Sequence, residues 1–311
     1  MLGGAIGDAL GMPFERVALS DIRQNFTFPI RGYFDPVEGA PCYQFNLTKG
    51  MYTDDTQAVR ASARALIDAG YFSPRVIATG LRGWLFECSL AQDPRYPGIT
   101  TDRALRRFVE TDDPTSSGYL SSSCGAAIRI SPVALWLTIQ ENARFRANIT
   151  KCAKITHTGQ AAIDGALVVA LCIKNGLNGR KCELPKLIRE CKSNRMIKAL
   201  NKVLAALKDN RDPNELIADL GGQTGADEVV AMALYHVHRN DFRFTATMEG
   251  GLDVFHPSGT DMDSILSIAG AISGVSDPSA VAESKWLSGL EGVKMIREEA
   301  DQLLQASLAR A

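Results

Sequence analysis

Two short clusters hold the residue types that metal-assisted chemistry needs: Thr53-Asp54-Asp55 and, about two hundred residues later, Asp261-Met262-Asp263-Ser264. Carboxylates interleaved with hydroxyls are the donors that hard cations such as Mg²⁺ and Mn²⁺ take. Each cluster opens an apolar-periodic stretch. Val59, Ala63, Leu66 and Ile67 recur at helical spacing behind the first, up to a stop at Gly70, and Ile265, Ile268, Ala269 and Ile272 do so behind the second. Taken alone, each cluster is explained as a helix cap, worth roughly 0.5–2 kcal/mol with the macrodipole. If the two helix starts meet, their carboxylates converge on one point, as in two-metal sites whose ions sit ~3.5–4 Å apart. A further Thr-Asp-Asp, at Thr111-Asp112-Asp113, runs into Pro114-Thr115-Ser116-Ser117-Gly118 and reads as a turn.

The elements around these clusters read as helices. Ile163, Leu167, Ala170 and Leu171 mark one face over 161–174, and Val230, Ala233, Leu234 and Val237 another over 227–238. Stretches 81–90 and 285–303 are also helical in pattern, the latter with a solvated end. Loops rich in Gly, Pro, Ser and Asp are expected over 29–52, 91–101, 111–124 and 250–260, and extended patterns are scarce. With no long linker, no repeat and no shift in composition, the chain reads as one domain over 1–311. Small residues inside helices, as in Gly3-Gly4-Ala5-Ile6-Gly7 and Ala269-Gly270-Ala271, permit close helix approach. The spacing Gly3, Gly7, Gly11 is not that of a phosphate-binding glycine loop, and no strand precedes it.

A hydrophobic fraction of 45% over 311 residues suffices for a substantial core. A net charge of −1 supplies no general attraction to nucleic acid or to an anionic membrane, and the basic stretch 180–202 reads as a solvated helix face. Seven cysteines without a C-x-x-C pair disfavour a disulfide framework or a zinc ribbon and suit reduced thiols in the cytoplasm. No secretory leader and no apolar run of about 20 residues is visible, so export and membrane spanning are not expected. His236 and His238, two apart on a helix, do not make a zinc site. Cys124 lacks the His and Asn or Asp of a thiol nucleophile, and Trp84, Trp136 and Trp286 read as packing residues.

Three ordered blocks carry a family resemblance: Gly4-Ala5-Ile6-Gly7-Asp8-Ala9-Leu10-Gly11-Met12-Pro13-Phe14-Glu15, then Tyr52-Thr53-Asp54-Asp55-Thr56-Gln57, then Gly259-Thr260-Asp261-Met262-Asp263-Ser264-Ile265. Between them stand Gly98-Ile99-Thr100-Thr101, the segment Ser123-Cys124-Gly125-Ala126-Ala127, and Thr156-His157. In this order, over about residues 3–292, the chain resembles the ADP-ribosylglycohydrolases, the enzymes related to dinitrogenase reductase-activating glycohydrolase and ADP-ribosylarginine hydrolase. The resemblance implies an all-α, compact single-domain orthogonal helical bundle with a dinuclear metal cleft holding two Mg²⁺ or Mn²⁺. It also implies hydrolysis of the glycosidic bond between ADP-ribose and a protein side chain. Residue by residue, it implies Thr53, Asp54, Asp55, Asp261, Asp263 and Ser264 as metal ligands, with Ser where Thr is more usual. Glu15 is implied at the metals in acid–base work, with Asp54, Asp55 and Asp261 in the catalytic set, and Ser122, Ser123, Gly125 and His157 along the ADP-ribose pocket.

Such carboxylates suit the chemistry, because breaking an anomeric bond builds oxocarbenium-like charge while a proton moves between water and leaving group. The chain departs from the family at Ser123-Cys124-Gly125, where Gly-Asn-Gly is common, and over 253–260, which lacks the usual Asn-x-Gly-Gly lead-in. Gly11-Met12-Pro13-Phe14-Glu15 and the compact second motif are nearest to the arginine-directed members. The expected partner is an ADP-ribosylated protein, met by a monomer. A non-catalytic ADP-ribose binder and a hydrolase of a small ADP-ribose compound stand as alternatives.

Overall fold

The computed structural model describes residues 1–93, 95 and 97–309. Among them are eighteen α-helices and two short 3₁₀ helices, no strand, and three isolated bridges. The expected all-α architecture is what the chain adopts.

What sets the architecture is the contact between the glycine helix Leu2–Gly11 and the second acidic helix Met262–Ser276. Gly3, Gly7 and Gly11 form one ridge four residues apart, so backbone meets backbone. A Cβ on Gly7 would overlap the Leu266 carbonyl, and one on Gly11 would stand 2.5 Å from Asp263 Cα. Larger residues would push the helices apart. The small residues thus place the end of the glycine helix, and Glu15 just beyond it, beside the start of the helix that carries Asp263.

The first acidic helix, Asp54–Ala69, ends at Gly70 as its sequence predicts. The core helix Gln160–Leu177 is long and apolar enough by composition to cross a bilayer, yet 72% of it is buried within the protein. It lies among Ala226–Arg239, Met262–Ser276 and Ser131–Ile139, which explains its apolarity. Trp84, Trp136 and Trp286 are all buried in the principal core cluster.

Element boundaries differ from the sequence pattern in several places, among them the short helix Pro41–Gln44 inside the loop expected over 29–52. The helix read over 81–90 begins at Pro74, where Ser73 Oγ caps the Val76 N–H at 3.1 Å. The stretch 285–303 is two elements, Lys285–Gly289 in 3₁₀ form and Val293–Leu308 in α form. Between them the Glu291 N–H bonds the Gly50 carbonyl at 2.9 Å and its carboxylate takes both terminal nitrogens of Arg95. Tertiary partners there outweigh helical continuity. Finally, Ile99–Thr111 is helical from its first residue, earlier than the loop over 91–101 suggested. The excluded triplet is a helix end and turn, with Asp113 Oδ1 accepting from the Thr115 N–H at 2.9 Å.

Candidate active site

The two acidic helix starts do meet. Glu15, Asp261 and Asp263 are buried and offer carboxylate oxygens that all lie within 4.8 Å of one another. Asp54 and Asp55 border the same cleft, of about 270 Å³, together with Ser264. Ser264 Oγ donates to Asp55 Oδ2 at 2.9 Å and so bridges the clusters.

Glu15 is held there by backbone. The Arg16 N–H donates to the Thr260 carbonyl at 2.8 Å, and Glu15 and Thr260 form a parallel bridge. This pairing sets the acid that ends the first block next to Asp261. Gly259 makes it possible, with φ +103 and a backbone so close that a Cβ would lie 2.8 Å from the Arg16 carbonyl oxygen.

Electrostatically the floor of the cleft is a crowd of carboxylates that Arg16, 3.9 Å from Glu15 Oε1, offsets only in part. Burial first, and then the neighbouring carboxylates Glu15 and Asp8, raise Asp54 well above the ordinary range. Burial and then Asp54 raise Asp55, and burial and then Glu15 raise Asp263. For Glu15, burial followed by repulsion from Asp261 lifts the pKa to about 7. Asp263 Oδ1 is buried without a hydrogen-bond partner. An orphaned carboxylate oxygen among other carboxylates is costly unless a cation satisfies it, so these residues fit a hard divalent ion.

The opposite wall is a hydrogen-bonded series around the buried Arg129, whose Nε has no hydrogen-bond partner among the described residues. His157, 1% exposed, contacts Thr156 Oγ1 through Nδ1 at 2.7 Å and Ser123 Oγ through Nε2 at 2.9 Å. Arg129 donates to Thr156 Oγ1 at 2.7 Å. Giving the Thr156 hydroxyl proton an acceptor makes His157 Nδ1 that acceptor and leaves Nε2–H to donate to Ser123. Burial, then the Arg129 charge, lowers His157 to about 3, so the ring stays neutral. Ser123 Oγ lies 3.2 Å from Ser121 Oγ, which accepts from Thr100 Oγ1 at 3.1 Å. A chain of hydroxyls therefore lines one side of the cleft, suited to hydroxyl and phosphate oxygens.

The family profile described as ADP-ribosylglycohydrolase matches residues 1–311. The chain belongs to the ADP-ribosylglycohydrolase family. An uncharacterized protein of Archaeoglobus fulgidus is 32% identical over 309 residues, covering 98% of this chain and 94% of that one. The ADP-ribosyl-[dinitrogen reductase] glycohydrolase of Rhodospirillum rubrum is 27% identical, covering 97% and 93%. A solved structure, an ADP-ribosylglycohydrolase-related protein complex, superposes with a TM-score of 0.68 at 22% identity, over 99% of this chain and 95% of that one. The protein is accordingly an ADP-ribosylglycohydrolase, an enzyme that hydrolyses ADP-ribose linkages, and its fold is that of the family.

In this ADP-ribosylglycohydrolase most of the expected site residues border one cleft: Glu15, Asp54, Asp55, Asp261, Asp263, Ser264, Ser123, Gly125 and His157. Thr53 and Ser122 do not line it. Thr53 is a helix N-cap, with Oγ1 accepting from the Asp55 N–H and donating to Asp8 Oδ1 at 2.9 Å. Ser122 gives its carbonyl to the Ala226 N–H at 2.8 Å, while its neighbours Ser121 and Ser123 make the hydroxyl contacts. Sequence reasoning missed Asp8. Fully buried, it accepts from the N–H and hydroxyl of both Thr53 and Thr56 at 2.6–3.0 Å and so fastens the first acidic helix to the glycine helix. A lone acid in Leu2–Gly11, among small and apolar residues, was the available signal. Cys42, whose thiol donates to Glu15 Oε2 at 3.1 Å, comes from the short helix Pro41–Gln44, in a stretch read from sequence as loop and without any such signal.

Proposed function

We propose that the cleft removes ADP-ribose from modified arginine side chains of proteins with the help of two divalent cations, Mg²⁺ or Mn²⁺. The observation that carries this reading is the buried meeting of Glu15, Asp261 and Asp263 beside Asp54 and Asp55, with Asp263 Oδ1 unpartnered. Asp54, Asp55, Asp261, Asp263 and Ser264 would hold the ions, with Thr53 fixing the first pair from behind through its cap. When bound, the cations supply positive charge and Lewis-acid contacts for ribose hydroxyls. The hydroxyl wall of Ser123 and Thr100, with Gly125 and His157 beside it, receives the diphosphate and ribose.

The residues of the chain then do the rest. Water adds to the anomeric carbon as its bond to the guanidino nitrogen breaks, the electron pair leaving with that nitrogen, which takes a proton. Glu15, held beside Asp261 and Asp263 at the cleft, is placed to take a proton from the water. The surrounding carboxylates stabilise the oxocarbenium-like charge. Support for an arginine linkage comes from the Gly11–Glu15 block and from the relative named for ADP-ribosyl-dinitrogen reductase. All seven cysteines are free, which supports a cytoplasmic, reducing setting, and we read the chain as one catalytic domain acting as a monomer.

Side-by-side assay of ADP-ribosyl-arginine and ADP-ribosyl-serine with Mg²⁺ or Mn²⁺ tests the reading. Faster release from arginine is expected, abolished by chelation, with Glu15→Gln lowering kcat about 10²–10⁴-fold and ADP-ribose affinity little. Equal or inverted preference would refute the arginine assignment.

A further inference from the structure

A second cavity, of about 600 Å³, opens between the helices Pro74–Ala91 and Ile99–Thr111. It is an apolar groove: Leu85, Phe86, Leu105 and Val109 line it, with Phe86 64% and Val109 59% exposed. Side chains of that size left in water on facing helices, together with Leu90 at 70%, mark a surface built for contact. The groove adjoins the catalytic cleft. Pro97 belongs to the walls of both, and the helix whose first residues Ile99, Thr100 and Thr101 border the cleft carries Asp102, Leu105 and Val109 into the groove. Ile99, 70% exposed, stands at the passage between them.

The occupant follows from that adjacency. In a modified protein the ADP-ribose is tethered to a polypeptide, so when the nucleotide part fills the cleft the polypeptide must leave across its rim. The carboxylate floor repels an acidic chain, but the groove does not: Arg82 lines it, exposed and without an ion-pair partner among the described residues, while the groove's Asp102 is paired with Arg106 at 2.8 Å. The geometry points to this groove as the docking surface for the polypeptide that bears the ADP-ribose, recognising an amphipathic segment whose apolar side chains seat between Phe86 and Val109 and whose acidic flank meets Arg82. This rests on the reading of the cleft as a hydrolase of modified proteins and adds how the protein part is chosen.

Gly83 gives a clean way to close the groove. It lines the cavity floor, and a Cβ built there meets nothing within 4 Å, so Gly83→Leu fills the groove while favouring the helix over glycine. The experiment compares three substrates with the wild-type enzyme, Gly83→Leu and Phe86→Asp. They are ADP-ribosyl-arginine itself, a peptide bearing ADP-ribosyl-arginine beside an amphipathic, acidic helical segment, and the same peptide with that segment scrambled. The wild type is expected to show a KM about tenfold lower for the patterned than for the scrambled peptide, a difference that both variants erase. Turnover of ADP-ribosyl-arginine stays unchanged in both. If the wild type does not distinguish the peptides, or the variants still do, the docking role is overturned while the cleft reading stands. If the wild type releases ADP-ribose from none of the three, both fall together. A concentration-dependent dimer dispersed by Phe86→Asp would assign the groove to a second copy and likewise overturn the proposal.

Discussion

The two walls of the cleft are differently finished. On the hydroxyl side Thr156, His157, Ser123, Ser121 and Thr100 are hydrogen-bonded in series, Arg129 donates into that series although its Nε has no partner among the described residues, and the histidine is kept neutral. On the carboxylate side Asp263 Oδ1 has none, and Glu15, Asp54, Asp55 and Asp263 repel one another. A series joined by its own hydrogen bonds is a preformed receptor, whereas crowded like charges favour a counter-charge brought from outside. The difference separates what the polypeptide completes by itself from what it leaves to a ligand.

The largest effects should come from the unfinished wall. Asp55→Ala and Asp261→Ala are expected to weaken Mg²⁺ binding and lower kcat by about 10³-fold or more, with helical content retained, as titration calorimetry, steady-state kinetics and circular dichroism would register. Unchanged stoichiometry and affinity in both would break the contrast. In chelator, Asp263→Asn should melt higher than the wild type, because it removes a buried, unpaired carboxylate, while His157→Ala should melt lower.

Stability against pH sharpens the same contrast, since the walls pull in opposite directions. Glu15, raised from 4.5 to about 7 in the fold, adds stability that is full below about 4.5 and is lost as pH climbs through about 7. His157, lowered from 6.5 to about 3, adds stability that is full above 6.5 and is lost as pH falls toward about 3. Over about pH 4.5–6.5 the two oppose one another, so Glu15→Gln should make the melting of the metal-free protein rise more steeply over this limb than in the wild type. An unaltered limb in this variant would remove Glu15 from the account.

Smaller changes belong to the finished wall. Ser123→Ala should weaken ADP-ribose binding about two- to tenfold and leave Mg²⁺ affinity alone, because one hydroxyl of a network is lost. The least effect is expected from Cys124→Asn. The Cys124 N–H is already committed to the Thr224 carbonyl at 3.0 Å and the thiol only approaches Asp261 Oδ2 at 3.4 Å. An amide there adds a donor, so ADP-ribose affinity should hold or tighten; a large loss in folded protein would show that the loop does not border the ligand.

The acids were legible in sequence because Thr53-Asp54-Asp55 and Asp261-Met262-Asp263-Ser264 sit at helix starts, where local rules already favour acids and tertiary use adds to them. Asp8 was not, since its partners Thr53 and Thr56 lie 45 and 48 residues away and only folding makes it polar-bonded. Ser122 shows a finer limit. In the extended stretch leading into Ser123, side chains alternate, so Ser121 and Ser123 turn together while the Ser122 hydroxyl faces the backbone near Gly159. A run of serines does not announce its register. The broken 285–303 stretch was hidden likewise, because Arg95 and Gly50, which hold Glu291, are remote in sequence.

The glycine seam between Leu2–Gly11 and Met262–Ser276 also governs when the enzyme can come into being. Its two halves are separated by about 250 residues of chain, which a ribosome adds in roughly 12–50 s at 5–20 residues per second. Throughout that interval the first helix has an open glycine face, although Thr53 and Thr56, the partners of Asp8, follow Asp8 by only 45 and 48 residues. The site is assembled only once the second acidic helix has been made and has docked, and products cut short before it carry the first acidic cluster without its counterpart.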